Sequence, residues 1–198
     1  MVDLEGPISL RRWAPPGGDI DGPDFRLTFR PFEGVARTQL LESSAGNDVA
    51  RQLGIQFPQP RQGIEADSLF VAWIAPRDWL VIGPEGDVGR FSSKARDSIA
   101  GHGLVTDMTH ACAVFELSGP AARDALNAHC PLDLSDRAFP VGSATRSLLA
   151  SANLFVGRRQ DGARGPVFTL IVDQTMAAYA TRMFAGSPAA ARYMALLP

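Results

Sequence analysis

Apolar and polar residues alternate over Phe25-Arg26-Leu27-Thr28-Phe29-Arg30, which predicts a strand with one buried face. Val35 to Leu41 reads as a second strand. Asn47 is a good helix N-cap, with Val49, Ala50 and Leu53 lining one side and Gly54 as the stop. Pro58 and Pro60 force an irregular connection. Leu69-Phe70-Val71-Ala72-Trp73-Ile74 is almost wholly apolar, the pattern of a strand buried on both faces. Pro76-Arg77-Asp78 is a turn, after which Trp79 to Ile82 returns as the hairpin partner and ends at Gly83-Pro84. Phe91, Ala95 and Ile99 recur at four-residue spacing, so Val88 to Ala100 reads as an amphipathic helix closed by Gly101-His102-Gly103.

Leu104 to Thr106 and Ala113 to Leu117 are the next strands. Ser118-Gly119-Pro120 opens a helix packed through Ala121, Ala122, Ala125 and Leu126, with proline where its missing N–H costs nothing. Arg146 to Leu149 and Asn153 to Val156 form a hairpin. Asp161-Gly162 is a turn, and Pro166 to Val172 is a strong strand. Gln174 to Phe184 is a helix facing inward through Ala177, Ala180, Thr181 and Phe184, and Pro188 starts a short last helix to Leu197. Two strand–helix–hairpin–helix units in succession suggest an internal pseudo-repeat. The class is α+β, with antiparallel sheets covered by helices on one face. Residues 1–24, broken by Pro15-Pro16 and Gly17-Gly18, are expected as an irregular N-terminal tail. Residues 25–198 then form one compact α+β domain, whose two lobes would meet near 104–118.

Composition narrows the function classes. With 19 basic and 21 acidic residues the formal charge is −2, so neither nucleic acid nor an anionic membrane is a general partner. No apolar run approaches the roughly 18–20 residues of a membrane span. The start, Met1 to Pro7, lacks the basic and apolar regions of a signal peptide, and Cys112 and Cys130 form no disulfide framework. A cytoplasmic protein is the expectation. All basic residues except Lys94 are arginine. Codon bias accounts for that excess most simply, although arginine is also the cation favoured at protein interfaces.

Candidate chemistry is sparse. His110-x-Cys112 and His129-Cys130 have the wrong spacing for a zinc site. Asp107, His110 and Ser118 lack the nucleophile-elbow context of a triad. There is no phosphate-cradling glycine loop, and Gly101-x-Gly103 is a turn. Arg11-Arg12 and Arg158-Arg159 are short charge pairs. Trp73, Trp79, Phe115 and Phe155 fall on strand patterns and read as core. Trp79, beside Arg77 and Asp78 at the hairpin turn, can equally be a partner-facing anchor, so Arg77, Asp78 and Trp79 are the candidate partner contacts. No catalytic, cofactor-binding or metal-ligating residue is assigned, and that emptiness favours a binding or assembly role.

The stretches Val105 to His110, Val114 to Leu126 and Cys130 to Leu134 resemble the gamma subunit of heterotetrameric sarcosine oxidase. Ala75 to Pro84, Phe139 to Gly142, Leu148 to Ala150 and Phe168 to Thr175, leading into the helix with Tyr179, continue the resemblance. It covers about Phe25 to Phe184. It implies a reduced version of the folate-binding fold of the glycine-cleavage T-protein. It further implies a noncatalytic assembly subunit that joins alpha, beta and delta subunits in oxidative demethylation of sarcosine to glycine. FAD, FMN, NAD, tetrahydrofolate and zinc are implied for those partners and none for this chain. The hairpin corresponding to the T-protein's acid-bearing Gly-Gly-x-x-Asp-like run is Leu148 to Phe155, with neither acid nor glycine, so the fold carries over and the folate site does not. The alternatives are a stand-alone folate-binding aminomethyltransferase-like protein and a gamma-type subunit of a related N-methyl amino acid oxidase or dehydrogenase.

Overall fold

The strand-forming stretches are apolar on both sides because each sheet is covered twice. In the computed structural model, which describes Pro15 and residues 19–22, 24–42, 46–99 and 101–186, the strands are β1 (Ile20–Asp21), β2 (Arg26–Phe29), β3 (Glu33–Leu40), β4 (Gly63–Ala66), β5 (Leu69–Ala75), β6 (Asp78–Pro84), β7 (Gly103–Asp107), β8 (Cys112–Ser118), β9 (Ala144–Leu149), β10 (Ala152–Arg158) and β11 (Val167–Asp173). The helices are α1 (Gly46–Leu53), α2 (Glu85–Ile99), α3 (Ala122–Asn127) and α4 (Ala177–Ala185). One antiparallel sheet runs β1-β2-β8-β11-β10-β9 and the other β4-β5-β6-β3-β7. The α+β class with antiparallel sheets is as expected.

Side chains alternate between layers with period two. Along β6, Leu80 and Ile82 point between the sheets, while Trp79 and Val81 point under α1 and α2. Along β8, Cys112 and Val114 point between the sheets, while Ala113, Phe115 and Leu117 point under α3 and α4. The result is four layers: helix, sheet, sheet, helix. The inter-sheet layer is closed at one corner, where Gly63 N–H donates to Gly142 O (2.8 Å) and Ala144 N–H to Arg61 O (2.9 Å). The Phe70 ring fills that corner. A Cβ on Gly63 would lie 2.2 Å from it and one on Gly157 2.6 Å, so both positions must remain bare.

The pseudo-repeat is a property of topology. The order β4-β5-β6-β3-β7 matches β9-β10-β11-β8-β2 strand for strand, and α1 and α2 correspond to α3 and α4. The fifth position is filled by β7 after α2 in one half, and by β2 from the start of the chain in the other. The second unit is thus split across the first in sequence. The chain crosses between sheets at Met108–Ala111, where Met108 N–H donates to Val35 O (2.8 Å) and the Thr109 hydroxyl accepts from Val35 N–H (3.0 Å).

Several boundaries differ from expectation. The tail is not wholly irregular: Ile20 pairs with Leu27, and Asp19 Oδ1 accepts from Phe29 N–H at 2.9 Å, anchoring β1 to the edge of β2. The stretch after Pro60 includes β4, which pairs with β5. The second helix begins at Glu85, not Val88, and Glu85 N–H donates to Phe32 O at 2.9 Å. α3 begins at Ala122, because Ser118 is still in register with Arg26 and Val167, and Gly119 turns with φ +117°. α1 begins at Gly46, and the Asn47 side chain proposed as its cap lies outside the described residues. Gln174–Met176 is a 3-10 turn leading into α4. Arg11-Arg12, Gly17-Gly18 and the helix expected from Pro188 to Leu197 also lie outside.

Candidate partner-contact hairpin and inter-sheet cleft

The β5–β6 hairpin turns on Pro76-Arg77, with Arg77 in the left-handed region at φ +61°. Of the three candidate contacts only Arg77 presents surface, and its guanidinium is tied to the end of β3 by a bond to Leu41 O. Asp78 and Trp79 need correction. Trp79 is 8% exposed, stacks on Phe57 with ring centroids 4.2 Å apart, and donates from Nε1 to Pro58 O at 3.1 Å. It is a core residue because period two sends it under the helices.

Asp78 is held by Arg37 across the β3–β6 pair. Arg37 Nε lies 3.0 Å from Oδ1, Nη2 lies 2.5 Å from Oδ2, and Gln39 Nε2 adds a bond at 3.3 Å. The fork geometry matches a carboxylate at both oxygens. The bond to Asp78 raises the Arg37 guanidinium above its ordinary pKa, against the opposing effect of burial. Replacing Asp78 with Ala is expected to cost about 2 kcal/mol, because it removes hydrogen bonds to a charged group and leaves a half-buried cation. A fall in the urea unfolding midpoint at unchanged slope is the measurement.

Arg37 also borders a cleft of about 620 Å³ where the sheets part. Ile74, Leu80 and Met108 form one wall, and Cys112, Phe155 and Ile171 the other. Arg146, Leu148 and Asn153 stand at the rim. Asp173, on the same rim, accepts from Thr175 hydroxyl at 2.6 Å and from Thr175 N–H at 2.9 Å, which holds its carboxyl below the usual range. Stability from a depressed carboxyl is complete above its unfolded-state pKa, near 4, and is lost as pH falls through the lower folded value. Thr175→Val is therefore expected to melt below the wild type at neutral pH, with the gap shrinking on acidification below about pH 4. Melting curves from pH 7 to 3 check this.

The remaining sequence candidates do not converge. Cys112 faces the inter-sheet layer and Cys130 the opposite layer, and neither forms a disulfide. Burial pushes the Asp107 carboxyl up, but the Thr109 N–H and hydroxyl and the charges of His110 and Arg96 outweigh it and hold it low. Asp107 thus caps the crossover turn, while Ser118 closes a strand of the other sheet. Among the described residues no group of three or more His, Cys, Asp or Glu could hold a metal, and no helix is long and apolar enough to cross a membrane.

Arg158-Arg159, in the sequence only a short charge pair, ties the layers together. Adjacent strand residues face opposite ways, so one guanidinium enters each layer. Arg158 is 1% exposed, lies 5.1 Å above the Phe168 ring centroid, and donates from Nη1 to Arg159 O (2.8 Å) and Val167 O (3.2 Å). Arg159 lies 4.6 Å from the Phe70 centroid, and its Nη2 reaches Glu65 Oε2 at 2.8 Å, bridging the two sheets. Their place at the end of β10, which runs past the expected Val156 to Arg158, was the available signal.

Two antiparallel sheets stacked between helices define the class of fold. The solved glycine cleavage system aminomethyltransferase T from Bartonella henselae has that fold, with a TM-score of 0.56 at 12% identity, over 83% of this chain and 48% of the other. The match is fuller, TM-score 0.76 at 19% identity over 91% of both chains, with a chain of the heterotetrameric sarcosine oxidase from Corynebacterium sp. U-96 in complex with pyrrole 2-carboxylate. The chain belongs to the sarcosine oxidase, gamma subunit family, whose model matches residues 38–189. It is 35% identical over 122 residues to sarcosine oxidase subunit gamma of an Arthrobacter species, and 35% identical over 117 residues to that of Corynebacterium sp. strain P-1. Those alignments cover 60% and 56% of this chain, and the chain spans 59% and 55% of the relatives' lengths.

Proposed function

We propose that the chain is the noncatalytic gamma subunit of a cytoplasmic sarcosine oxidase-type complex. It contributes surface to alpha, beta and delta chains that carry FAD, FMN, NAD, tetrahydrofolate and zinc and that demethylate sarcosine to glycine. The family match over residues 38–189 carries this reading. Support comes from the placement of polar side chains. Asp78 is bound by Arg37, Asp107 by Thr109 and Asp173 by Thr175, so these three acids hold the fold. Of the sequence candidates for contact, Arg77 remains.

Co-expression with the alpha, beta and delta chains of such an oxidase tests this. The expected result is co-elution with a large flavoprotein and sarcosine-dependent peroxide formation. A chain that elutes alone beside an assembled, active oxidase overturns it. The T-protein fold and the 620 Å³ cleft favour a second reading, a folate-binding aminomethyltransferase-like protein. Titration calorimetry with tetrahydrofolate removes that reading if it gives no saturable heat.

A further inference from the structure

Among the described residues, the edge of β9 is open only in its middle. At one end Ala144 N–H donates outward to Arg61 O (2.9 Å), and just beyond the other end Ala150 N–H donates to His129 O (2.7 Å). In an antiparallel pair outward-facing residues recur every second position, so Arg146 and Leu148 turn their backbone groups away from β10 as well. Among the described residues neither has a backbone partner on that side, and Arg146 O receives only the neighbouring Thr145 hydroxyl at 3.4 Å. The gap between Ala144 and Ala150 is roughly 20 Å of strand. The β9–β10 register places Arg146 opposite Phe155 and Leu148 opposite Asn153, so both side chains face the side on which the 620 Å³ cleft opens. Leu148 is 43% exposed.

Charge limits the occupant. Arg37, at the cleft wall, is bound to Asp78, and Asp173 at the rim is bound to Thr175. Arg146 has no ionic partner among the described residues, so the rim presents one uncompensated cation beside an apolar trough. An exposed edge with unpaired backbone groups is a template for strand addition, and its flanking pockets select alternate side chains.

Resting on the subunit reading above, we infer that β9 receives an extended segment of a companion subunit. That segment adds a strand beside Arg146 and Leu148, sets a carboxylate against Arg146, and places an aliphatic side chain against Leu148 over the cleft. Cross-strand pairs of these kinds are the ordinary units of sheet stabilisation.

Hydrogen exchange on the assembled complex and on the free chain tests this without mutation. The amides of Arg146 and Leu148 should exchange at least tenfold more slowly in the complex. Arg146→Glu and Leu148→Asp alter exposed side chains, so each should keep the melting temperature of the free chain yet lower recovery with the flavoprotein chains at least tenfold. If wild-type chain assembles but these amides keep their free exchange rate and both variants are recovered in full, the edge assignment is wrong and the subunit reading stands. If wild-type chain does not assemble, both fall. Concentration-dependent protection of the same amides in the free chain assigns the edge to a second copy and also overturns the inference.

Discussion

Trp79→Ala should lower the melting temperature of the isolated chain by roughly 10 °C. The indole is 8% exposed, stacks on Phe57 and is in the cluster beneath α1 and α2 with Val71, Val81, Val88 and Phe91. Truncating a buried tryptophan costs about 3–5 kcal/mol from lost transfer energy and the cavity left behind. It also removes the Nε1–H bond to Pro58 O, which leaves the loop of Pro58 and Pro60 without its tie to β6. For a domain of this size each kcal/mol shifts the midpoint by about 2–4 °C. A Trp79→Phe variant keeps most of the stacked area but not the donor, and should recover more than half of the loss. An unchanged midpoint for Trp79→Ala, with weakened assembly, would restore Trp79 as a partner anchor.

The signal that settles Trp79 was present in the sequence. Trp79-Leu80-Val81-Ile82 is apolar at both parities, as is Leu69 to Ile74, and a hairpin of two such strands has no solvent face on which to offer an anchor. The strands buried on both faces and the helices α2 and α4 were legible for the same reason: packing on both faces, or on one helical stripe, writes a period into the chain. Short elements at the sheet edges were not. β4 carries Gly63, bare because the Phe70 ring occupies its place, and β1 is two residues long. The cleft was invisible because no local pattern records where two sheets part. Leu148 and Arg146 become a rim only when β9 is set against Ile74 and Leu80 of the other sheet.

Arginine in place of lysine also changes meaning inside this fold. Arg37, Arg158 and Arg159 each place several N–H donors on fixed oxygens, which a planar guanidinium does and an ammonium does not. Arg158 is the sharpest case. Its Nη1 serves Arg159 O and Val167 O, its Nη2 reaches Asp161, and its plane lies on Phe168. Arg158→Ala should cost about 4 kcal/mol, since it leaves a cavity, strips Arg159 O of its donor and leaves Val167 O only the Arg159 N–H. Arg158→Met refills the space without donors and should cost about half as much. Arg158→Lys keeps the charge, but its single ammonium replaces a fork that spans both carbonyls and Asp161, so it should fall between the two. That ranking, read from urea midpoints, separates hydrogen bonding from volume. Equal losses for Met and Ala would assign the whole effect to the lost donors, whereas a wild-type midpoint for Met would assign it to packing on Phe168.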